Sequence, residues 1–272
     1  MPFPSSVQPS GSSTRSSPLA HLSKDSAPLN DGLPDWLSPL EFSRWMLFSM
    51  GVRVRLHHQS RLPETPFLMI SNHRSFLDAP LLLVAANRSV RFACHHYMAQ
   101  VPVMRSVVKA LGCFPLDEPD QRGRTFFKQA TRFLRSQESI GLFPEGTGPM
   151  VSIPAPSEVG PFHRGFAHLA LRAPVDALKI VPAAIMALDE NQQDTIPFKL
   201  LNWFDPTEPL FDRPGRHPAV IYRDVSVMIG EPIAIADWAK DGYHGKRAGQ
   251  VASELSDQCH DQIQSLLSAG CY

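Results

Sequence analysis

Long apolar runs are missing from this chain. None of its 272 residues belongs to a stretch near the roughly 18 apolar residues that a bilayer-spanning helix needs. That excludes a transmembrane reading and leaves a seat on a membrane surface open. Net charge is missing too. Lys+Arg and Asp+Glu stand at 26 each, so there is no basic excess of the kind phosphate-backbone binding needs, and nucleic acid is excluded as the main partner. Cysteine is sparse. The four, Cys94, Cys113, Cys259 and Cys271, form no C-x-x-C pair and follow no signal peptide. They read as reduced intracellular thiols rather than a disulfide frame or a zinc site. The eleven histidines lack metal spacing. His57–His58 and His95–His96 are neighbours, whose side chains point apart in strand and helix alike, so no metal is expected. The G-x-S-x-G elbow of serine hydrolases is absent as well.

The length suits one large domain with a full core. Residues 1–34 hold nine Ser and six Pro, few large apolar residues and no periodicity, and are expected to be a disordered tail. Their Ser-rich, acid-poor character also suits a transit peptide, but the only basic residues are Arg15 and Lys24. The domain is placed at 35–272. It opens with an amphipathic helical segment over 35–50, where Trp36 and Trp45 beside Arg44 fit an interfacial helix as well as a helix packed on its own core. Strand-like runs at 66–71, 90–94, 139–144, 179–186 and 220–230 alternate with helix-length stretches near 77–86, 103–110, 123–136 and 164–172. That alternation predicts an α/β domain with a largely parallel central sheet flanked by helices. A C-terminal helix is predicted over 248–268 from Val251, Leu255, Cys259 and Ile263. Residues 148–160 and 189–218 read as long connections. Arg124, Lys128, Arg132 and Arg135 recur at helical spacing as one basic stripe.

Two stretches carry chemistry. "SNHRSFLDAP" (71–80) sets His73 and Asp78 at the exit of a predicted strand. In a continuous helix the two would point about 140° apart. With His73 in the turn and Asp78 in the first helical turn they can meet, and the carboxylate can then hold the imidazole Nδ1–H and leave Nε2 as a base. By itself the pair is first read as a satisfied polar contact at a helix cap. Cys94 and Cys113 lie in or beside apolar runs and read as packing residues. A base without an enzyme nucleophile points to activation of a hydroxyl on the substrate. "LFPEGTG" (142–148) follows another strand, with Pro144 and Gly146 bracketing Glu145 in a tight turn. Backbone N–H groups at Gly146 and Thr147, the Glu145 carboxylate and the Thr147 hydroxyl can together hold a polyol or a phosphate.

In order, "NHRSFLD", "GCFPLD", "FPEGT", "IVPAAI" and "GEPI" resemble the motifs of the glycerolipid acyltransferase superfamily, including the 1-acylglycerol-3-phosphate acyltransferases. The resemblance covers roughly residues 50–235 and implies that family's α/β fold. It implies His73 as general base, Asp78 as its partner, and Glu145, Gly146 and Thr147 in the acceptor site, with the Pro182 region lining the acyl side. It also implies acyl-CoA or acyl carrier protein as co-substrate, a lysolipid acceptor, no cofactor, and a cytoplasmic enzyme peripheral on the membrane.

The sequence departs from that family where basic residues usually flank the motifs. Glu118, Gly148 and His163 stand there instead, with Arg122, Arg124 and Arg164 close enough to substitute. The leading acceptor is 1-acylglycerol 3-phosphate, in phospholipid biosynthesis. Another lysolipid or lipid hydroxyl is the alternative acceptor. A non-catalytic lipid-binding protein of the same fold is the rival from another class, and thioester hydrolysis by water is a third possibility.

Overall fold

The computed structural model describes residues 38–95, 98, 102–116, 122–146, 148–175, 177–197, 199, 212, 214–236, 243–245 and 247–270. The Ser/Pro-rich segment, Trp36, Glu118 and Thr147 lie outside the described residues, as do the side chains of Arg122 and Arg124.

Helix α1 (Pro39–Ser49) starts where the Ser38 hydroxyl accepts the Glu41 amide, with Pro39 in the first turn. It turns Met46 and Leu47 inward and leaves Trp45 and Phe48 60% and 84% exposed. Strands β1 (Arg53–His57) and β2 (Phe67–Ser71) follow, then α2 (Asp78–Ala86), β3 (Val90–Cys94), α3 (Pro102–Ala110), β4 (Phe114–Pro115), α4 (Arg122–Arg135), β5 (Ser139–Leu142), the short α5 (Gly148–Val151) and α6 (Gly165–Arg172). The chain then runs through β6 (Lys179–Pro197), β7 (Arg216–Ile229), β8 (Ile233–Ala234) and α7 (Arg247–Ala269).

Strand order is β1-β7-β6-β2-β5-β3-β4, with β8 on β6. All neighbours run parallel except β6–β7 and β6–β8. Both faces are covered, so the central strands carry apolar residues on both sides. On β2, Leu68 and Ile70 enter one core with residues of α4, α6 and α7, while Phe67 and Met69 enter the other with α1, α2 and α3. The predicted mostly parallel sheet between helices is therefore observed. Helix α4 buries Ala130, Phe133 and Leu134 and exposes Lys128, Arg132 and Arg135, which places the basic row on the outer side.

One expectation is corrected. The stretch 189–218 is not wholly a connection: β6 continues to Pro197 and β7 begins at Arg216. Its sequence, "DENQQDT", is too polar to read as a strand. The two strands pair antiparallel well past Ala187, so their backbone groups satisfy each other without an apolar face.

Gly141 sets a tight constraint beside the strand ends. A Cβ there would lie 2.1 Å from the ring of Phe92, which is buried. Gly141→Ala should therefore lower stability by about 1–3 kcal/mol through overpacking, read as a lower urea midpoint at unchanged slope. A midpoint equal to that of the parent would show that the Phe92 ring has room to step aside.

Candidate active site

Parallel pairing of β2 with β5 and β6 sets Ile70 beside Leu142 and Pro182. The chain segments leaving β2 and β5 at their C-terminal ends therefore emerge side by side, the usual place for a ligand crevice in such sheets. Asn72 leaves the strand but continues its pairing through its side chain. Its amide donates to Ile185 O at 2.9 Å and accepts from Ile185 N at 2.8 Å.

His73 follows in the turn, and Asp78 begins α2. The His73 Nδ1 lies 2.8 Å from Asp78 Oδ2. The same oxygen accepts the backbone N–H groups of Arg74 and Ser75 at 2.7 and 2.8 Å, and Asp78 Oδ1 accepts the Tyr222 hydroxyl at 2.8 Å. Asp78 is fully buried, while the His73 side chain keeps 18% exposure. With Asp78 accepting at Nδ1, the imidazole carries its proton there and offers the Nε2 lone pair outward. Among the described residues no group bonds Nε2. The ring stacks on Phe143 with centroids 4.1 Å apart, and Phe143 stacks in turn on Phe92.

Glu145 sits behind this ring. Its Oε1 accepts the His73 amide at 2.9 Å and its Oε2 the Gly160 amide at 2.6 Å. Burial pushes its carboxyl above the usual range, and those two amides and the nearby His73 act against that push. The Gly146 N–H donates to Phe143 O within the turn, at a positive φ of 71°. His163 lies over this glycine, donating its own amide to Pro144 O. Pro182 is buried in β6, and its carbonyl accepts Gly230 N–H at 2.8 Å. The structure thus brings His73, Asp78, Glu145 and Gly146 together. Cys113 has its thiol pushed up to about 12 by burial, and burial also raises Cys94, so neither is a thiolate at neutral pH.

Three participants carry no signal in the sequence taken by itself. Arg74 is 1% exposed and forks onto Glu190 at 2.7 and 2.9 Å. Burial opposes the Arg74 charge, but the Glu190 bond and the nearby negative groups prevail and raise its pKa. Burial likewise opposes the Glu190 charge, but the Arg74 and Gln192 hydrogen bonds hold its carboxyl below the usual range. Tyr222 is buried, and its phenol is pushed well above the usual range by burial and by Asp78.

Removing Glu190 leaves a guanidinium buried without its counter-charge. Glu190→Ala should cost about 3–5 kcal/mol of stability at neutral pH, measured by denaturant titration. Because the folded-state carboxyl is depressed, its contribution is present above the unfolded carboxylate range and fades as pH falls through the folded value. The gap between parent and variant should therefore narrow in acid. A gap that is constant with pH would assign the loss to packing alone.

The acyltransferase family model matches residues 53–186, the span from β1 into β6 that holds both loops. The chain is 24% identical to the 1-acyl-sn-glycerol-3-phosphate acyltransferase of Saccharomyces cerevisiae over 244 residues, 86% of this chain and 67% of that one. It is 29% identical over 124 residues to the chloroplastic enzyme of that name, BAT2, from Brassica napus, covering 45% of this chain and only 33% of the relative. Among solved structures it resembles the 1-acyl-sn-glycerophosphate (LPA) acyltransferase PlsC of Thermotoga maritima, with a TM-score of 0.55 at 17% identity over 85% of this chain and 77% of that one. That likeness carries the fold. The matched domain and the relatives that share it place residues 53–186 of the chain in the acyltransferase family.

Proposed function

We propose that the protein is an O-acyltransferase that moves a fatty acyl group from acyl-CoA or acyl carrier protein to a glycerolipid hydroxyl, with 1-acylglycerol 3-phosphate as the leading acceptor. The observation that carries the reading is the His73–Asp78 contact at 2.8 Å, with a fully buried carboxylate beneath an imidazole that keeps 18% exposure. Asp78 holds the tautomer. His73 Nε2 takes the proton from the acceptor hydroxyl as that oxygen attacks the thioester carbonyl carbon. The tetrahedral adduct collapses, the C–S bond breaks, and the departing sulfur takes the proton back from the imidazolium. No acyl-enzyme forms, in keeping with the two raised thiols. In this reading Gly146 and Glu145 shape the acceptor side, Thr147, Arg122 and Arg124 are assigned to it by sequence position alone, and the Pro182 region serves the acyl side.

Gly148 and His163 stand beside the turn where basic residues are expected, which favours a second reading in which the acceptor headgroup is not a phosphate monoester. An acceptor panel separates the two. Purified protein with labelled acyl-CoA should acylate a lysolipid, and the preferred headgroup names the class. His73→Ala should abolish transfer, and Asp78→Asn should fold normally yet lose most activity. Wild-type turnover in His73→Ala would overturn the mechanism.

The same reading places the protein on a membrane surface. Among the described residues no helix is long and apolar enough to cross a bilayer, while Trp45, Phe48 and Met50 stand exposed toward the C-terminal end of α1 and just beyond it. Aromatic side chains of this kind favour the lipid–water interface. Trp45→Ser with Phe48→Ser should reduce sedimentation with phospholipid vesicles several-fold, by an estimate of about 0.5–2 kcal/mol per inserted side chain. Equal sedimentation of parent and variant would remove α1 from the contact.

A further inference from the structure

We infer that Tyr222 is a positioning residue for acyl transfer, acting on His73 through Asp78. This rests on the reading of His73 as the base. Tyr222 lies on β7, directly across the ladder from Glu190 on β6. One cross-strand rung therefore grips the catalytic loop twice: Glu190 holds Arg74, the residue after His73, and Tyr222 holds Asp78. Ser75 adds a third tie two residues along β7, donating its hydroxyl to Val220 O at 2.6 Å.

The Tyr222 hydroxyl is the part of that rung that touches the dyad. Its ring sits in the apolar core shared with Leu77, Leu81 and Val220, where a phenylalanine would fill nearly the same room without burying a polar atom. Among the described residues the hydroxyl's partner is Asp78 Oδ1 alone. The other carboxylate oxygen takes three donors: His73 Nδ1, Arg74 N and Ser75 N. Tyr222 thus pins the free end of the carboxylate. Without it, Oδ1 is a buried anionic oxygen with no donor, and rotation of the carboxylate to find one swings Oδ2 away from the imidazole. The imidazole then loses its fixed tautomer, and a smaller fraction of molecules presents an unprotonated Nε2 to the acceptor. Tyr222 has no role in holding either substrate, so the loss falls on turnover.

The test is a double-mutant cycle on the full chain with labelled acyl-CoA and the best lysolipid acceptor. Tyr222→Phe keeps the ring and should lower kcat on the order of 10- to 100-fold, with KM for both substrates within about twofold, while the protein still unfolds cooperatively at a midpoint a few degrees lower because a buried carboxylate has lost a donor. In an Asp78→Asn background the same change should alter residual kcat by less than about twofold, because the hydroxyl acts through the carboxylate. A structural role would lower activity equally in both backgrounds, and that result overturns the inference. So does wild-type kcat in Tyr222→Phe while His73→Ala is inactive. Full turnover in His73→Ala would instead sink the reading of the base itself.

Discussion

A carboxylate with no solvent exposure holds this site together. Burying an ion of that kind costs several kcal/mol after the protein has relaxed around it, and Asp78 is sustained only by donors on every side. Four reach it: an imidazole, two consecutive backbone amides and a phenol. The two amides belong to the residues right after His73, so the chain must wrap the carboxylate before α2 can begin. The placement of His73 therefore follows from the need to satisfy Asp78. The imidazole is one of the four groups that make the burial tolerable.

The wrapped loop is tied outward to three different strands or turns. Asn72 binds β6, Ser75 and Asp78 bind β7, and the His73 amide binds Glu145 beyond β5. A purely parallel sheet would bring only strand ends to this point. The antiparallel β6–β7 pair runs past the end of its neighbours and supplies a wall of side chains, Glu190 and Tyr222 among them, against the flank of the loop. The exception to parallel pairing is thus what encloses the dyad. On the opposite flank Phe143 stacks on the imidazole, and it is held by Phe92, whose ring needs the missing side chain of Gly141.

Local pattern made much of this legible. The His73–Asp78 pair, the turn at Glu145 and the alternation of strand and helix could be read from spacing, because each depends on residues close in sequence or on an amphipathic period. The predicted C-terminal helix at 248–268 is observed as Arg247–Ala269 for the same reason. What could not be read was long-range. Tyr222 meets Asp78 across 144 positions and Glu190 meets Arg74 across 116. Nothing in "VIYRDV" marks its tyrosine as different from any other strand aromatic. Glu190 was hidden further by sitting in a polar stretch whose strand character depends on its partner strand and not on its own composition.

Glu145 shows how geometry refines a motif. With both oxygens engaged by backbone amides and 6% exposure, its carboxylate works as a strap between the His73 loop and the segment at Gly160. A β-carbon on Gly160 would sit 2.9 Å from Oε2, so that approach depends on glycine. The Gly146 amide is likewise used within the turn. The turn therefore contributes shape and rigidity and no described cation. A phosphate monoester carries nearly two negative charges, and Gly148 and the exposed His163 offer no permanent positive charge to meet them. The next basic residue along the chain is Arg164, just before α6. In the proposed reaction, selectivity for the acceptor then depends on how far the headgroup projects from the hydroxyl that His73 deprotonates.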